Sequence, residues 1–457
     1  MQTQAHPQWT GQALARQFRS QNSFFVSNQK LYLLHKDLRC YIPLKKPEII
    51  SSILDAVPPE ERDSVSNSSL EDAAKRLYRD SSNQRSKEKL LKESQFLLNL
   101  HNGIYCLETG KLFTGEDAER LIKQYCFTYM LNFSYMEGAK LNDAPTFLNF
   151  LITSLDQEEA PDKTTLLLEI MGICLSSVRI ARKFYFLVGM TKSGKSVIAD
   201  LLNSIIVPET GVTAFGLNQL SGRFNVQHLE YSRLNICREL TAGKVAGTDT
   251  LKMLVSEEPL FVEGKGKDGY VTHIHTKLLT CANQMPDFGE MDSAGNKSIT
   301  DRMVVLKFNH TISEKDMDRH LTDKLLKERN VIFSLAVDTL KALHDRDYLF
   351  TVPQDTMQMM ESYIQDSRSL EMFINERCQM NGKVHKSDFI AAYRNYCTEN
   401  ALSAYNDKEI SAYIANCLPS VRKEKFRLNG KYLWGWSGIS VWQEQFDDYL
   451  KEDNTNE

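Results

Sequence analysis

No segment of the chain is apolar for long enough to span a bilayer: the densest stretch, from Leu166 to Val178, is short and interrupted. The start, Met1 to Trp9, is polar and holds no hydrophobic leader. Positive charge is not in excess, because 55 Lys and Arg against 59 Asp and Glu leave a net charge of -4. That balance excludes a globally basic nucleic-acid binder, though not one local basic groove. The nine cysteines, from Cys40 to Cys417, never stand at Cys-x-x-Cys spacing, and none lies beside a histidine cluster. A zinc site and an oxidised scaffold are therefore not expected; reduced core thiols and a cytoplasmic location are. No internal repeat is present. What remains is ordinary globular material: 42% apolar and 25% charged residues over 457 positions, enough for about three domains at roughly 150 residues each.

Up to about Leu155, short apolar runs alternate with charged ones. Residues Glu60 to Glu93 are polar and helix-prone, and read as surface helices joined by turns. Asn102-Gly103 lies between β-prone flanks, and Thr109-Gly110 forms a second turn, so a small meander is expected near 96–114. From Lys183 the pattern changes. Phe184 to Val188 is a continuous aromatic and apolar run, which is how a strand buried on both faces reads. Val197 to Ile206 returns to helical spacing. Further strand-like runs follow at Leu234–Cys237, Lys277–Ala282 and Met303–Phe308. This alternation predicts an α/β core with a parallel sheet. Beyond Pro353 the spacing predicts a helix over 356–377, then helices near 386–400 and 407–417. Two β-prone runs around Asn429-Gly430 complete the outline of a winged helix. The expected domains are 1–155, 156–348 and 349–457, with 452–457 as tail.

The strongest motif is Gly189-Met190-Thr191-Lys192-Ser193-Gly194-Lys195-Ser196. It fits G-x-x-x-x-G-K-[ST], the Walker A loop, between a predicted strand and a predicted helix. Glycines let backbone N–H groups face phosphate oxygens, and the helix N-terminus adds a favourable dipole. Lys195 is expected to reach the β- and γ-phosphates of ATP, and Ser196 to hold Mg²⁺. Such a loop needs a carboxylate at the end of a neighbouring strand. Glu239, after Leu234–Cys237, is the candidate for both water activation and metal organisation, with Glu230 as a second acid because Arg238 fills the place where one usually stands. Asn283, at the end of the next strand, suits a γ-phosphate sensor. Arg302, before the last strand, suits an arginine finger, or else a surface ion pair with Asp301.

The order and spacing of these elements resemble superfamily 3 helicases, most of all the primase-helicases of poxviruses, bacteriophages and integrated mobile elements. Asn99 to Ile104 and Glu108 to Leu112 are similar to that family's segment ahead of the ATPase, although Cys106 stands where its pattern has Asp. Gly222 to Phe224 and the run from Arg233 to Glu239 resemble further blocks. The resemblance implies an AAA+-like P-loop ATPase core, an α+β accessory domain before it, and a hexameric ring of copies moving 3′ to 5′ on single-stranded DNA. It also implies a channel hairpin, for which Val262 to Tyr270 is the candidate, with Lys265 and Lys267 at its tip; the alternative is a solvated turn. His273 and His275 alternate nearby and read as polar-face residues.

The basic run Lys423, Lys425 and Arg427 could lie along origin duplex DNA or be a solvated strand face, and Trp434, Trp436 and Trp442 read as core rather than as a base-stacking platform. No paired-carboxylate motif stands in the N-terminal part, so primase activity is not expected of this chain, unless a separate primase or polymerase partner supplies it. The resulting expectation is an ATP-driven DNA helicase in the replication of a phage or mobile element, working in the host cytosol. Two rivals remain: an origin-binding initiator in which ATP switches assembly, and a P-loop ATPase in phage defence.

Overall fold

The computed structural model describes residues 9–155, 159–179, 181–222, 224–230, 232–240, 245, 248–264, 269–288 and 297–442. These fall into two compact units. The first takes Met1–Ala242, Ala246–Gln284 and Met303–Pro353; the second takes Gly243–Val245, Met285–Arg302 and Gln354–Glu457.

The first unit begins with an antiparallel sheet of Phe24–Ser27, Lys30–His35 and Cys40–Leu44. Helices Gly11–Gln21, Lys46–Asp55 and Asn67–Tyr78 cover it. The polar segment within 60–93 is thus amphipathic: Leu70, Ala73, Ala74 and Leu77 share one face of Asn67–Tyr78 and are buried in this core. The expected meander is formed by Leu97–Leu100, Gly103–Cys106 and Lys111–Phe113. Its sheet continues through Met130–Leu131 to Ile206–Val207, a short strand that follows a helix of the central α/β region. One hydrophobic cluster accordingly runs from Phe25 to Tyr348, and residues 1–155 share a compact unit with most of 156–348, all but Gly243–Val245 and Met285–Arg302.

The central sheet is parallel. Its order is Val212–Thr213, Leu234–Cys237, Lys277–Ala282, Phe184–Gly189, Met303–Phe308. The three inner strands and Met303–Phe308 are almost wholly buried, which is why they read as continuous apolar runs without alternation. Helix Ala160–Leu175 packs on Arg329–Asp345 so closely that a Cβ on Gly172 would come within 2.5 Å of the Ala336 carbonyl oxygen. Glu169 is fully buried in this helix, where its carboxylate accepts from the Thr351 amide at 2.9 Å and hydroxyl at 2.8 Å and pairs with Arg346. Removing it leaves a half-buried amide and Arg346 without their acceptor. Glu169→Ala should therefore lower stability by about 1–3 kcal/mol, read as a lower urea midpoint with unchanged slope.

In the second unit the helix expected over 356–377 is two helices, Gln354–Ser367 and Ser369–Arg377. Then come the strand Lys383–His385, helices Lys386–Glu399 and Asp407–Cys417, and strands Arg422–Leu428 and Lys431–Ser437. The last two pair antiparallel around Asn429 (φ 50) and Gly430 (φ 79), both left-handed as a tight hairpin turn requires. Phe373, Phe389, Tyr393 and Trp436 form the core.

Candidate functional site

Gly189 ends the strand Phe184–Gly189 where a side chain has no room: a Cβ there would lie 2.5 Å from the Phe308 carbonyl oxygen on the adjacent strand. The chain then turns through Lys192 (φ 64) and Gly194 (φ 99). A Cβ on Gly194 would meet Phe150 Cε2 at 2.7 Å and Ser154 Oγ at 2.9 Å, on top of its left-handed conformation. Helix Pro145–Ser154 is thus the floor of the loop. That floor is itself held in place: the Glu328 carboxylate accepts from the amides of Thr146 and Phe147, both at 3.0 Å, in its first turn. The loop is tied on its far side by the Ile312 amide donating to the Lys192 carbonyl at 2.9 Å, and by Lys192 Nζ to Glu314 at 2.6 Å.

Helix Lys195–Ile205 starts directly from this turn. In its first turn the Val197 amide donates to the Gly194 carbonyl at 3.0 Å, and the helix dipole at this end favours negative charge. Lys195 Nζ donates to the carbonyls of Gly189 at 2.6 Å and Met190 at 2.7 Å, and to Ser193 Oγ at 3.1 Å. All three ammonium protons are engaged by the loop itself, with no carboxylate among the acceptors. Burial pulls the Lys195 pKa below the ordinary lysine range, a cost that a bound anion would relieve. Met190, Thr191 and Ser196 are exposed, Ser193 buried.

Three strand ends meet at this edge of the sheet. Ala282 is level with Val188, so Asn283 falls beside Gly189; Cys237 is level with Thr280, so Glu239 falls beside Ala282. Both Asn283 and Glu239 are exposed at the edge. The strand carrying Glu239 is not the direct neighbour of the loop strand, because Lys277–Ala282 lies between them. At about 4.8 Å per strand, Glu239 stands two spacings, roughly 10 Å, from the loop. Arg238 pairs with Asp200 on helix Lys195–Ile205, which ties the Glu239 strand to the loop's helix. Neither the pair nor Asp200 was legible from spacing, since they are far apart in the chain. Beneath them Cys281 packs against the Lys195 carbonyl at 3.8 Å, and burial pushes its thiol up to about 12.

Glu230 does not join this group. It precedes the strand Leu234–Cys237 and so lies at the opposite edge of the sheet, where it accepts from Tyr270 at 2.5 Å, and from Thr272 and Asn28, both at 3.2 Å. That edge carries half-buried cations. Arg233 donates to the Leu175 carbonyl at 3.0 Å and stacks 3.3 Å from the Tyr129 ring centroid; Lys277 donates to the Val178 carbonyl. These close the end of helix Ala160–Leu175, and burial lowers the Lys277 pKa to about 8. His275 is mostly buried beside Glu257 at 3.6 Å, and His273 Nδ1 donates to the Glu257 carbonyl at 2.9 Å, so neither is a simple polar-face residue.

Arg302 is half-buried at the end of the second unit's segment, its amide bonded to the Ile299 carbonyl at 2.9 Å, immediately before Met303–Phe308. Lys265 and Lys267 lie outside the described residues; the strands flanking them, Pro259–Val262 and Tyr270–His273, do form an antiparallel hairpin. Lys423, Lys425 and Arg427 are exposed on strand Arg422–Leu428. The tryptophans correct the sequence expectation: Trp436 alone is core, while Trp434 is 51% and Trp442 57% exposed.

A metal at the loop would find few protein ligands. Among the described residues no group of three or more His, Cys, Asp or Glu is placed to hold one. Ser196 and Glu239 suit an ion that binds through one or two protein oxygens, phosphates and water, as Mg²⁺ does.

Residues 7–155 match a family model described as "D5 N terminal like". Residues 187–302, which hold the whole loop motif, Glu239, Asn283 and Arg302, match a family of unknown function, DUF5906. No curated protein matches the chain. Among solved structures, the apo NrS-1 C-terminal region is similar over 95% of this chain and 100% of that one, at 10% identity and a TM-score of 0.48. An A-form apo structure of the same region is similar over 93% and 98%, at 10% identity and a TM-score of 0.46.

No helix among the described residues is long and apolar enough to cross a membrane.

Proposed function

We propose that the chain is an ATP-driven DNA helicase of the superfamily 3 type, acting in the replication of a phage or mobile element. The observation that carries this reading is the loop Gly189–Ser196. Its lysine is buried against loop carbonyls, its helix N-terminus faces outward, and Glu239 and Asn283 share its edge of the sheet. A D5 N-terminal-like domain is of the kind found in primase-helicases, which supports the choice of DNA over protein as the object of the motor.

In this reading the loop amides and Lys195 take the β- and γ-phosphates, Lys195 exchanging loop carbonyls for phosphate oxygens. Ser196 and Glu239 would hold Mg²⁺, which would neutralise charge on the phosphates. The roughly 10 Å between Glu239 and the loop leaves room for the γ-phosphate and a water, which Glu239 orients and deprotonates. Asn283 donates to the γ-phosphate and so differs in environment before and after hydrolysis. Arg302 serves a neighbouring copy's site in a hexameric ring. Lys265 and Lys267 grip single-stranded DNA without reading sequence, and the second unit is a winged helix. A primase or polymerase would be a separate partner.

The test is strand displacement on a forked substrate together with DNA-stimulated ATP hydrolysis. Unwinding that needs hydrolysable ATP is expected. Binding without unwinding would favour an assembly switch at an origin, and hydrolysis indifferent to DNA would favour an ATPase acting elsewhere. Glu239→Gln should keep ATP affinity and lose turnover, because shape is kept while the charge at the water is removed; loss of affinity in parallel would count against its role. Lys265→Ala with Lys267→Ala should stop unwinding and flatten the salt dependence of DNA binding while basal hydrolysis continues.

A further inference from the structure

On the hairpin of the second unit, Lys425 sits directly opposite Trp434, Arg427 opposite Tyr432, and Lys423 opposite Trp436. Residues opposite each other in an antiparallel pair share a face. One face therefore carries three cations and three large aromatics in a block. Its root is anchored: Trp436 is 2% exposed and packs edge-on against Phe389, with ring centroids 5.2 Å apart. Past that root the same face leaves the core, with Trp434 51% and Tyr432 65% exposed. Lys423 and Lys425 hold their ammonium groups 5.6 Å and 5.2 Å from the Trp434 ring centroid. The hairpin's lone acid, Glu424, is on the other face, bonded to Lys383 at 2.9 Å.

We infer that this face binds unpaired nucleic acid by stacking bases on Trp434 and Tyr432 while Lys423, Lys425 and Arg427 follow the phosphates. Three features choose a single strand over a duplex. Exposed rings can stack only on base faces that a duplex keeps covered. Trp434 and Tyr432 are two residues apart on a strand, about 7 Å, twice the 3.4 Å per nucleotide of a duplex strand, so they suit bases already drawn apart. The helix before the hairpin, Asp407–Cys417, offers Asp407 and Glu409 against Lys408 in its first turn, and a groove-reading helix would present the opposite charge. The choice of nucleic acid as the partner rests on the helicase reading; the face itself is indifferent to whether the loop hydrolyses ATP.

The experiment uses the full chain without nucleotide and an oligothymidylate, which carries no purine fluorescence. Binding should quench tryptophan emission, and Trp434→Phe should remove most of that quench, since of the hairpin's two tryptophans Trp436 is buried and the other exposed one, Trp442, lies off the hairpin. Trp434→Ala should weaken oligothymidylate binding by about tenfold, by the stacking contribution of one base, and Trp434→Phe should retain most of the affinity. An abasic oligonucleotide of equal length keeps the phosphates, so on it the Trp434→Ala loss should vanish. Equal loss on abasic and normal strands, unchanged quenching in Trp434→Phe, or equal quenching by polyglutamate would overturn the inference; the last would mark a face for acidic protein segments. ATP hydrolysis without DNA should be unchanged in Trp434→Ala, so a failed helicase assignment and a failed stacking site give separate signals.

Discussion

Lys195→Ala loses ATP hydrolysis by at least about a hundredfold in a steady-state assay. The expectation comes from what surrounds this ammonium. It is buried, its three protons are held by the Gly189 and Met190 carbonyls and the Ser193 hydroxyl, and no carboxylate balances it. A phosphate arriving at the loop meets a cation that is already positioned and poorly solvated, and in such a site a single donor to developing charge is worth roughly 10²–10³ in rate. The loop should survive the substitution as a fold, because its turn is set by Gly189, Gly194 and the floor of Phe150 and Ser154. Circular dichroism and the urea midpoint of the variant should therefore be close to the parent's. Hydrolysis near the parent rate in a folded Lys195→Ala protein would sink the assignment of the loop.

The second large effect is on Arg302. A finger supplied by a neighbouring copy contributes about 10³–10⁵ to hydrolysis, so Arg302→Ala should be inactive when assayed alone. Its distinctive property is complementation. In a ring mixing Arg302→Ala with Lys195→Ala subunits, some interfaces place an intact loop against an intact finger, and activity returns at those interfaces. Recovery should peak at intermediate ratios and appear only at concentrations where rings assemble and subunits exchange. Labelled subunits report the exchange independently. If exchange is seen and no ratio recovers activity, Arg302 works within its own chain or holds structure through Asp301 and the segment before Met303–Phe308, and the shared-site mechanism falls while the loop assignment stands.

What was legible in the sequence was whatever physical chemistry writes locally. Phe184 to Gly189, Leu234–Cys237, Lys277–Ala282 and Met303–Phe308 announce themselves because strands covered on both faces can be apolar at every position. Asn102-Gly103 and Asn429-Gly430 mark hairpins because few residues tolerate their backbone conformations. The motif Gly189–Ser196 is local for the same reason, since sterics at Gly189 and Gly194 dictate its glycines. The tertiary structure decided what depends on strand order and on residues distant in the chain. It set the strand Lys277–Ala282 between the loop and Glu239, and it sent Glu230 to the far edge, although both acids flank the same strand. It tied Arg238 to Asp200, and it sewed Ile206–Val207 into the sheet of the N-terminal region, so that no packing boundary falls near 155. It separated Trp434 from Trp436. Two residues apart on one strand, they point the same way, and only where the second unit's core ends determines that Trp436 is buried while Trp434 meets solvent between two lysines.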